Sequence, residues 1–420
     1  MKLKSMLLVT AAAMTLSTAG QAAELRMSWW GGDSRHQATQ EALKACGEKY
    51  GHTIKPEFTG FSGHQEKLTT QIAGSTEADI MQVNWPWLPL LSPDGTGFAD
   101  LRDYSDTIDL SQYSEDDLAA AEVKGHLNGI PVSTTGRVFL FNKDTFDKAG
   151  LAIPSTWDEL TADAKVMKEK LGEDYYPFEA AKLNAVLVVS LVVTQKTGKD
   201  LVDPETGMVA WTPEELADGI KFYQNLVDSG TIRSWKDVAS DGKVELFETQ
   251  IWGKGEIAGT YEWDSTYAKY ADPLGDQYLA PTKPLMVDGA TTEGVYRKPS
   301  MLFSISKNSK NPKAAAQIVN CLLNEPEGYE ILKDTRGIPS SKVAFEALSK
   351  ADAFDPKVVE AHEIIMNATG PTASPHDENP DIREIFKDSL EAVAYGQMTA
   401  EDAAEDMIEQ FNDELEDIQG

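Results

Sequence analysis

The stretch Glu24-Leu25-Arg26-Met27-Ser28-Trp29-Trp30-Gly31-Gly32-Asp33-Ser34-Arg35 decides the class of this chain. Leu25 to Trp30 reads as a strand, Gly31-Gly32 as a turn, and His36 to Tyr50 carries helical periodicity. The pattern then repeats, with a strand at Thr53 to Phe58, a helix at Gln65 to Ile72 and a strand at Ala78 to Val83. Strand, helix, strand in that order predicts βαβ units and a parallel sheet, with binding loops at the carboxyl ends of the strands.

Upstream, Lys2 and Lys4 form a basic start, Met6 to Leu16 is apolar, and Gly20-Gln21-Ala22-Ala23 supplies the small residues a signal peptidase accepts. The apolar run is too short for a membrane anchor. No Cys lies near the cleavage site, which closes the lipid-attachment route. The expectation is a cleaved signal over residues 1–23 and a periplasmic protein that is not a lipoprotein. The chain has 420 residues, with 38 Lys and Arg against 68 Asp and Glu, a net charge of −30. Loss of Lys2 and Lys4 with the signal makes it −32. So acidic a surface argues against nucleic acid and anionic membranes, yet a few Arg in a cleft can still receive a small anion.

Beyond the signal, the length suits two sizeable domains. The longest apolar run, Ala185 to Val193, is broken by Ser190 and is about half of what spanning requires, so it reads as a buried helix and the protein as not membrane-embedded. Arg137 to Phe141 is a strand in a new setting, after which helical patterns dominate to about residue 270. Ser300 to Ser306 is again a strand; Asn311-Pro312 starts a helix, and further helical patterns begin at Asp355 and Pro380. The acidic tail from Glu401 to Asp417 keeps an apolar stripe of Ala403, Met407, Ile408 and Phe411, as a packed terminal helix does. Cys46 and Cys321 are the only cysteines, and two residues alone leave a bridge and two buried thiols equally open. The six His are scattered without H-E-x-x-H or a Cys-His cluster, so neither a metal site nor a cofactor is expected.

Ordered features then span nearly the whole chain: the strand ending in Trp29-Trp30-Gly31-Gly32, Leu68 to Gly74, Ala78-Asp79-Ile80-Met81-Gln82, Asn128-Gly129-Ile130-Pro131, Phe141-Asn142-Lys143-Asp144, Ile153 to Leu160, Ser306 to Ala316 and Gly337-Ile338-Pro339. Together they resemble the extracytoplasmic solute-binding proteins of carbohydrate ABC importers. Arg26 to Gly32, Arg35-His36-Gln37 and Asn84-Trp85-Pro86-Trp87 look most like the oligogalacturonide-binding branch, which takes up short acidic pectin fragments. The resemblance implies a two-lobe α/β periplasmic binding protein fold with a hinge and an interlobe ligand cleft. It places residues 24–133 plus 302–340 in an N-terminal lobe and 134–301 plus 341–420 in a C-terminal lobe. It implies a monomer that closes on an acidic oligosaccharide and delivers it to the permease subunits of an ABC transporter, without being an enzyme.

Sugar rings stack on aromatic planes, their hydroxyls need directed partners, and a uronate suits a bidentate Arg. Trp30 ends the first strand and Trp85 and Trp87 follow the third, all near the carboxyl edge; Trp29 faces the other way and is assigned to the core. Trp263, with Tyr261 behind it, is where the family commonly places an aromatic of the second lobe. Arg35, Arg137, Lys182, Arg297, Lys298 and Arg336 are the carboxylate candidates; Arg137 and Arg297 rank first because they sit near the inferred crossings between the lobes. His64, Gln82, Asn84, Glu179 and Asn184 are candidate hydroxyl partners. The alternatives are a neutral oligosaccharide in the same role and a secreted pectin- or glycoside-degrading enzyme. A glycosidase needs two opposed carboxylates, which 68 acidic residues supply by chance; G-x-S-x-G, a P-loop and a complete G-x-G-x-x-G are all missing.

Overall fold

The computed structural model of the chain describes residues 22–203, 206–242, 244–295, 297–371 and 373–419. Apart from Ala22 and Ala23, the expected export signal over residues 1–23 lies outside the described residues. Ten strands organise the site: β1 (Glu24–Trp30), β2 (Thr53–Thr59), β3 (Ile80–Val83), β4 (Ile130–Pro131), β5 (Thr134–Thr135), β6 (Arg137–Asn142), β7 (Gly259–Trp263), β8 (Leu279–Thr282), β9 (Lys298–Pro299) and β10 (Leu302–Ile305). The first lobe is built on a five-stranded sheet ordered β2-β1-β3-β10-β4. Strands β1, β2 and β3 are parallel, as their βαβ spacing predicts, whereas β10 enters antiparallel to both β3 and β4. The sheet is therefore mixed, because β10 arrives from the other lobe rather than over a helical crossover.

Alternation along β1 decides which tryptophan does what. Leu25, Met27 and Trp29 are at most 1% exposed and face one layer of the core, with the Trp29 indole donating to His36 Nδ1 at 3.1 Å. Trp30 turns the other way. The helix Asp33–Tyr50 follows and ends on Gly51, which has φ 73°, a left-handed stop open to glycine at little cost. Cys46 on this helix is bridged to Cys321 on the helix Pro312–Asn324.

The second lobe surrounds an antiparallel sheet ordered β8-β6-β7. Strand β6 is buried along its whole length, sending Phe139 and Phe141 into one apolar cluster and Val138 and Leu140 into another. The first cluster packs under the helices Leu183–Thr197, Pro213–Asp228, Pro380–Ala394 and Ala400–Gln419. The apolar run at Ala185 to Val193 is thus a buried helix, and no helix among the described residues is long and apolar enough to cross a membrane.

Two crossing segments join the lobes as a ladder, β5 against β9, with Thr135 opposite Lys298 and Thr134 opposite Pro299. A third passes at Arg336-Gly337. Ser133 Oγ lies 2.6 Å from both Ser300 Oγ and the Arg336 carbonyl oxygen, tying the three together. Gly337 has φ 89°, and a Cβ there would stand 2.9 Å from Ser265 Cβ, so the turn needs glycine on both counts.

Candidate functional site

Between the lobes lies a cleft of about 960 Å³, near the upper end of small-molecule sites and roomy enough for an oligosaccharide. The first lobe supplies an aromatic wall. Trp30 and Trp87 have ring centroids 5.2 Å apart, and Phe61 stacks on Trp87 at 5.8 Å and 23°. Trp30 reaches this wall because it ends β1, and Trp87 because the turn Trp85–Trp87 follows β3 directly. Asn84, the last residue before that turn, also lines the cleft.

The second lobe supplies charge. Most of its cleft cations are already matched. Arg233 Nε reaches Glu179 Oε2 at 2.6 Å and its Nη1 reaches Asp241 Oδ2 at 2.8 Å. Glu378 Oε2 lies 2.7 Å from both Lys298 Nζ and Arg383 Nη2. Lys298 is 4% exposed, and burial, opposed by Glu378, lowers its pKa to about 8. Burial likewise raises the Glu179 carboxyl above its ordinary range.

Arg137 and Lys182 differ, since among the described residues neither has a carboxylate within ion-pair distance. Lys182 Nζ donates only to the Gly242 carbonyl oxygen, at 2.9 Å. Arg137 sits opposite Trp263 in the β6–β7 register, so its guanidinium lies over the Trp263 ring, 4.1 Å from the centroid. Its Nη1 donates to the Tyr261 carbonyl oxygen at 3.2 Å, and its buried Nε has no partner among the described residues. Lys298 Nζ is 4.3 Å from the same ring, making Trp263 the centre of a cationic patch. Beside Arg137 is a small pocket of about 40 Å³ flanked by Asp200, Asp377 and Arg383, large and polar enough for water.

Of the residues singled out from the sequence, Trp30, Arg35, Asn84, Trp87, Arg137, Glu179, Lys182, Asn184, Trp263 and Lys298 line this cleft. Arg35 does so with its donors spent on protein carbonyls, at Thr335 (2.9 Å), Ser265 (3.3 Å) and Trp30 (3.5 Å); burial lowers its pKa to about 10. The other six stand off the wall. His64 is buried behind Trp30, its Nδ1 paired with Thr59 Oγ1 at 2.7 Å. Gln82 and Arg336 form a buried pair under the first lobe, Arg336 Nε donating to Gln82 Oε1 at 2.9 Å and its Nη2 to Thr39 Oγ1 at 2.8 Å. Trp85 turns inward and donates to the Ala120 carbonyl oxygen at 2.7 Å. Tyr261 packs on Phe139, 4.6 Å between centroids, one strand step deeper than Trp263. Arg297 donates to the carbonyls of Ile365 and Ala368 at the end of the helix Pro356–Asn367, because the neighbouring Lys298 takes the inward side of β9.

Sequence reasoning missed Phe61, Arg233, Glu262, Glu378 and Arg383. Glu262 lies between Tyr261 and Trp263, both chosen as aromatics, and was passed over for them; Glu378 and Arg383 come from a distant loop and helix and carry no local signal. Among the described residues the one potential ligand cluster for a metal, Cys321 with Glu325 and Glu327, is occupied otherwise: the sulfur is in the disulfide and Lys49 Nζ lies 2.9 and 2.7 Å from the two carboxylates.

Comparison with known proteins agrees with this architecture. A periplasmic oligogalacturonide binding protein from Yersinia enterocolitica, solved with saturated digalacturonic acid, is 39% identical and superposes with a TM-score of 0.90 over 95% of this chain and 100% of that one. A periplasmic solute binding protein from Pectobacterium atrosepticum is 36% identical, with a TM-score of 0.87 over 94% and 99%. A binding protein of Brucella abortus is 27% identical over 232 residues, 54% of this chain, and the match spans 56% of that relative's own length. Residues 32–329 match the model of the bacterial extracellular solute-binding proteins, and the chain belongs to that family.

Proposed function

We propose that the protein is the periplasmic substrate-binding component of an ABC sugar importer and that it closes on a short acidic oligosaccharide of the oligogalacturonide kind. The observation that carries this reading is the opposition, across one cleft, of the Trp30–Trp87 wall to Arg137, a cation with no carboxylate paired to it among the described residues. Aromatic planes take the C–H faces of sugar rings, and a guanidinium takes a uronate carboxylate. The likeness to the Yersinia protein supports the same ligand class.

In this reading a monomer, released from its signal over residues 1–23, has residues 24–133 plus 302–340 as one lobe and 134–301 plus 341–420 as the other. They pivot at the β5–β9 ladder. Moving such a two-state equilibrium from mostly open to mostly closed takes about 5.5 kcal/mol of preferential contact. The closed, loaded form then docks on the permease subunits through both lobes.

Calorimetry and tryptophan fluorescence with di- and trigalacturonate, beside maltose and a neutral galactoside, test the reading. Binding of the acidic sugars without turnover is the expected result. Binding of neutral sugars alone would remove the uronate ligand, and turnover would remove the binding-protein role.

A further inference from the structure

Glu262 stands on the cleft wall and is 9% exposed. Its Oε1 accepts the Tyr270 hydroxyl at 2.6 Å and Asn184 Nδ2 at 3.0 Å. Both donors are fixed: Tyr270 is buried, and Asn184 sits in the first turn of the buried helix Leu183–Thr197. Burial and the Glu262 charge hold the Tyr270 hydroxyl protonated, so the bond runs from Tyr270 to Glu262. No Lys or Arg among the described residues pairs with Glu262, and its Oε2 neither has a hydrogen-bond partner among them nor is shut away from the cleft.

A carboxylate this deep has exchanged hydration for two hydrogen bonds on one oxygen. The other oxygen needs donors, and those are what a sugar brings. A ligand carboxylate cannot serve, because it only accepts and carries the same charge. Adjacent residues on a strand point to opposite sides, so Glu262 lies across β7 from Trp263, whereas Arg137, in register with Trp263, shares its side. We propose that Glu262 Oε2 is a hydroxyl-accepting subsite that orients the ligand, drawing ring hydroxyls of one sugar unit to itself and leaving the acidic group to Arg137. This rests on the oligosaccharide reading of the cleft and adds the residue that discriminates a hydroxyl edge from a carboxylate.

The test titrates wild type, Glu262→Gln and Glu262→Ala with digalacturonate, its dimethyl ester and analogues each lacking one ring hydroxyl. Both variants should weaken the acid and the ester by similar factors, roughly tenfold or more for loss of a charge-assisted bond. One deoxy analogue should bind wild type and Glu262→Gln alike, because its partner is already gone. Unchanged affinity in Glu262→Gln, or tighter binding of the acid, overturns the proposal. So does a loss that is the same for every deoxy analogue, which is what a purely structural role through Tyr270 and Asn184 would produce. Wild type that binds neither the acid nor the ester overturns the uronate reading as well, and that is read from wild type alone.

Discussion

Replacing Arg137 by Ala separates an acidic ligand from a neutral one. The substitution removes the guanidinium that covers Trp263 at 4.1 Å and whose Nε is buried without a partner among the described residues. A hydrogen-bonded pair between a ligand carboxylate and Arg contributes about 1.5–3 kcal/mol net. At about 1.4 kcal/mol per decade, Arg137→Ala should weaken digalacturonate by roughly 10- to 150-fold. A neutral disaccharide loses only the cation over the Trp263 ring, about 0.5–1 kcal/mol, or less than roughly sixfold. Arg297→Ala is the matched control. Arg297 interacts with the carboxyl end of the helix Pro356–Asn367, so its loss should cost about 0.3–1 kcal/mol of stability and leave both affinities unchanged. Calorimetry at fixed salt, with the melting midpoint of each variant measured alongside, reads all of this. Equal losses for acidic and neutral ligands in Arg137→Ala, or an Arg297→Ala defect as large, would refute the assignment.

Trp29→Ala and Trp30→Ala should part in kind. The first empties a fully buried core site and should cost about 3–5 kcal/mol of stability with affinity retained in the folded fraction, whereas the second should weaken acidic and neutral sugars alike by roughly tenfold. Denaturant melts and titrations of the pair distinguish these. Reducing the bridge between Cys46 and Cys321, or replacing both by Ser, frees a cross-link spanning 275 positions and should lower stability by about 2–5 kcal/mol without changing affinity. Burial raises Asp200 to about 6 and Asp377 also upward, so the folded protein keeps protons there that the unfolded chain releases above about pH 4. That stability is fully present below about pH 4 and is lost as pH rises through about 6, so Asp200→Asn should flatten the fall in melting midpoint between about pH 4 and about pH 6.5.

Much of the first lobe was legible because its signals are local. Period-two alternation puts Trp29 and Trp30 on opposite sides, and the strand and helix starts follow turn residues next to them. Burial of polar groups is not local. Arg336 lies under the first lobe because Gln82 and Thr39, more than two hundred and fifty positions away, meet it there. Arg297 and Lys298 show the same limit at single-residue scale: the crossing is readable, but which neighbour turns inward depends on the pairing of Lys298 with Thr135. Trp85 and Trp87 are equal candidates from the sequence because both follow the third strand, yet the tight turn Trp85–Trp87 directs the first ring inward and only Trp87 to the cleft. The pairing of Cys46 with Cys321 needed two helices to be brought together, which no count of cysteines supplies.

Only contacts that strengthen with ligand can drive closure, and this ranks the cleft cations. Arg35 already spans from the first lobe to the Ser265 carbonyl of the second, and its remaining donors go to Trp30 and Thr335. Those bonds are made to the protein itself and give no ligand-dependent preference. Arg233 and Lys298 are paired with Glu179, Asp241 and Glu378, and Arg383 shares Glu378 although its buried Nε has no hydrogen-bond partner among the described residues, so a ligand carboxylate would have to compete with a protein carboxylate at each of them. Arg137 alone combines a deep position, an unpartnered Nε among the described residues and a place in the chain two residues beyond Thr135 of the hinge ladder. An anion bound to Arg137 while its sugar rings lie on Trp30 and Trp87 touches both lobes, and the two sets of contacts are made together only in the closed form. Such a ligand therefore favours closure, and a preference of roughly 5.5 kcal/mol can be assembled from one ion pair, one stacked wall and the hydroxyl bonds of Glu262.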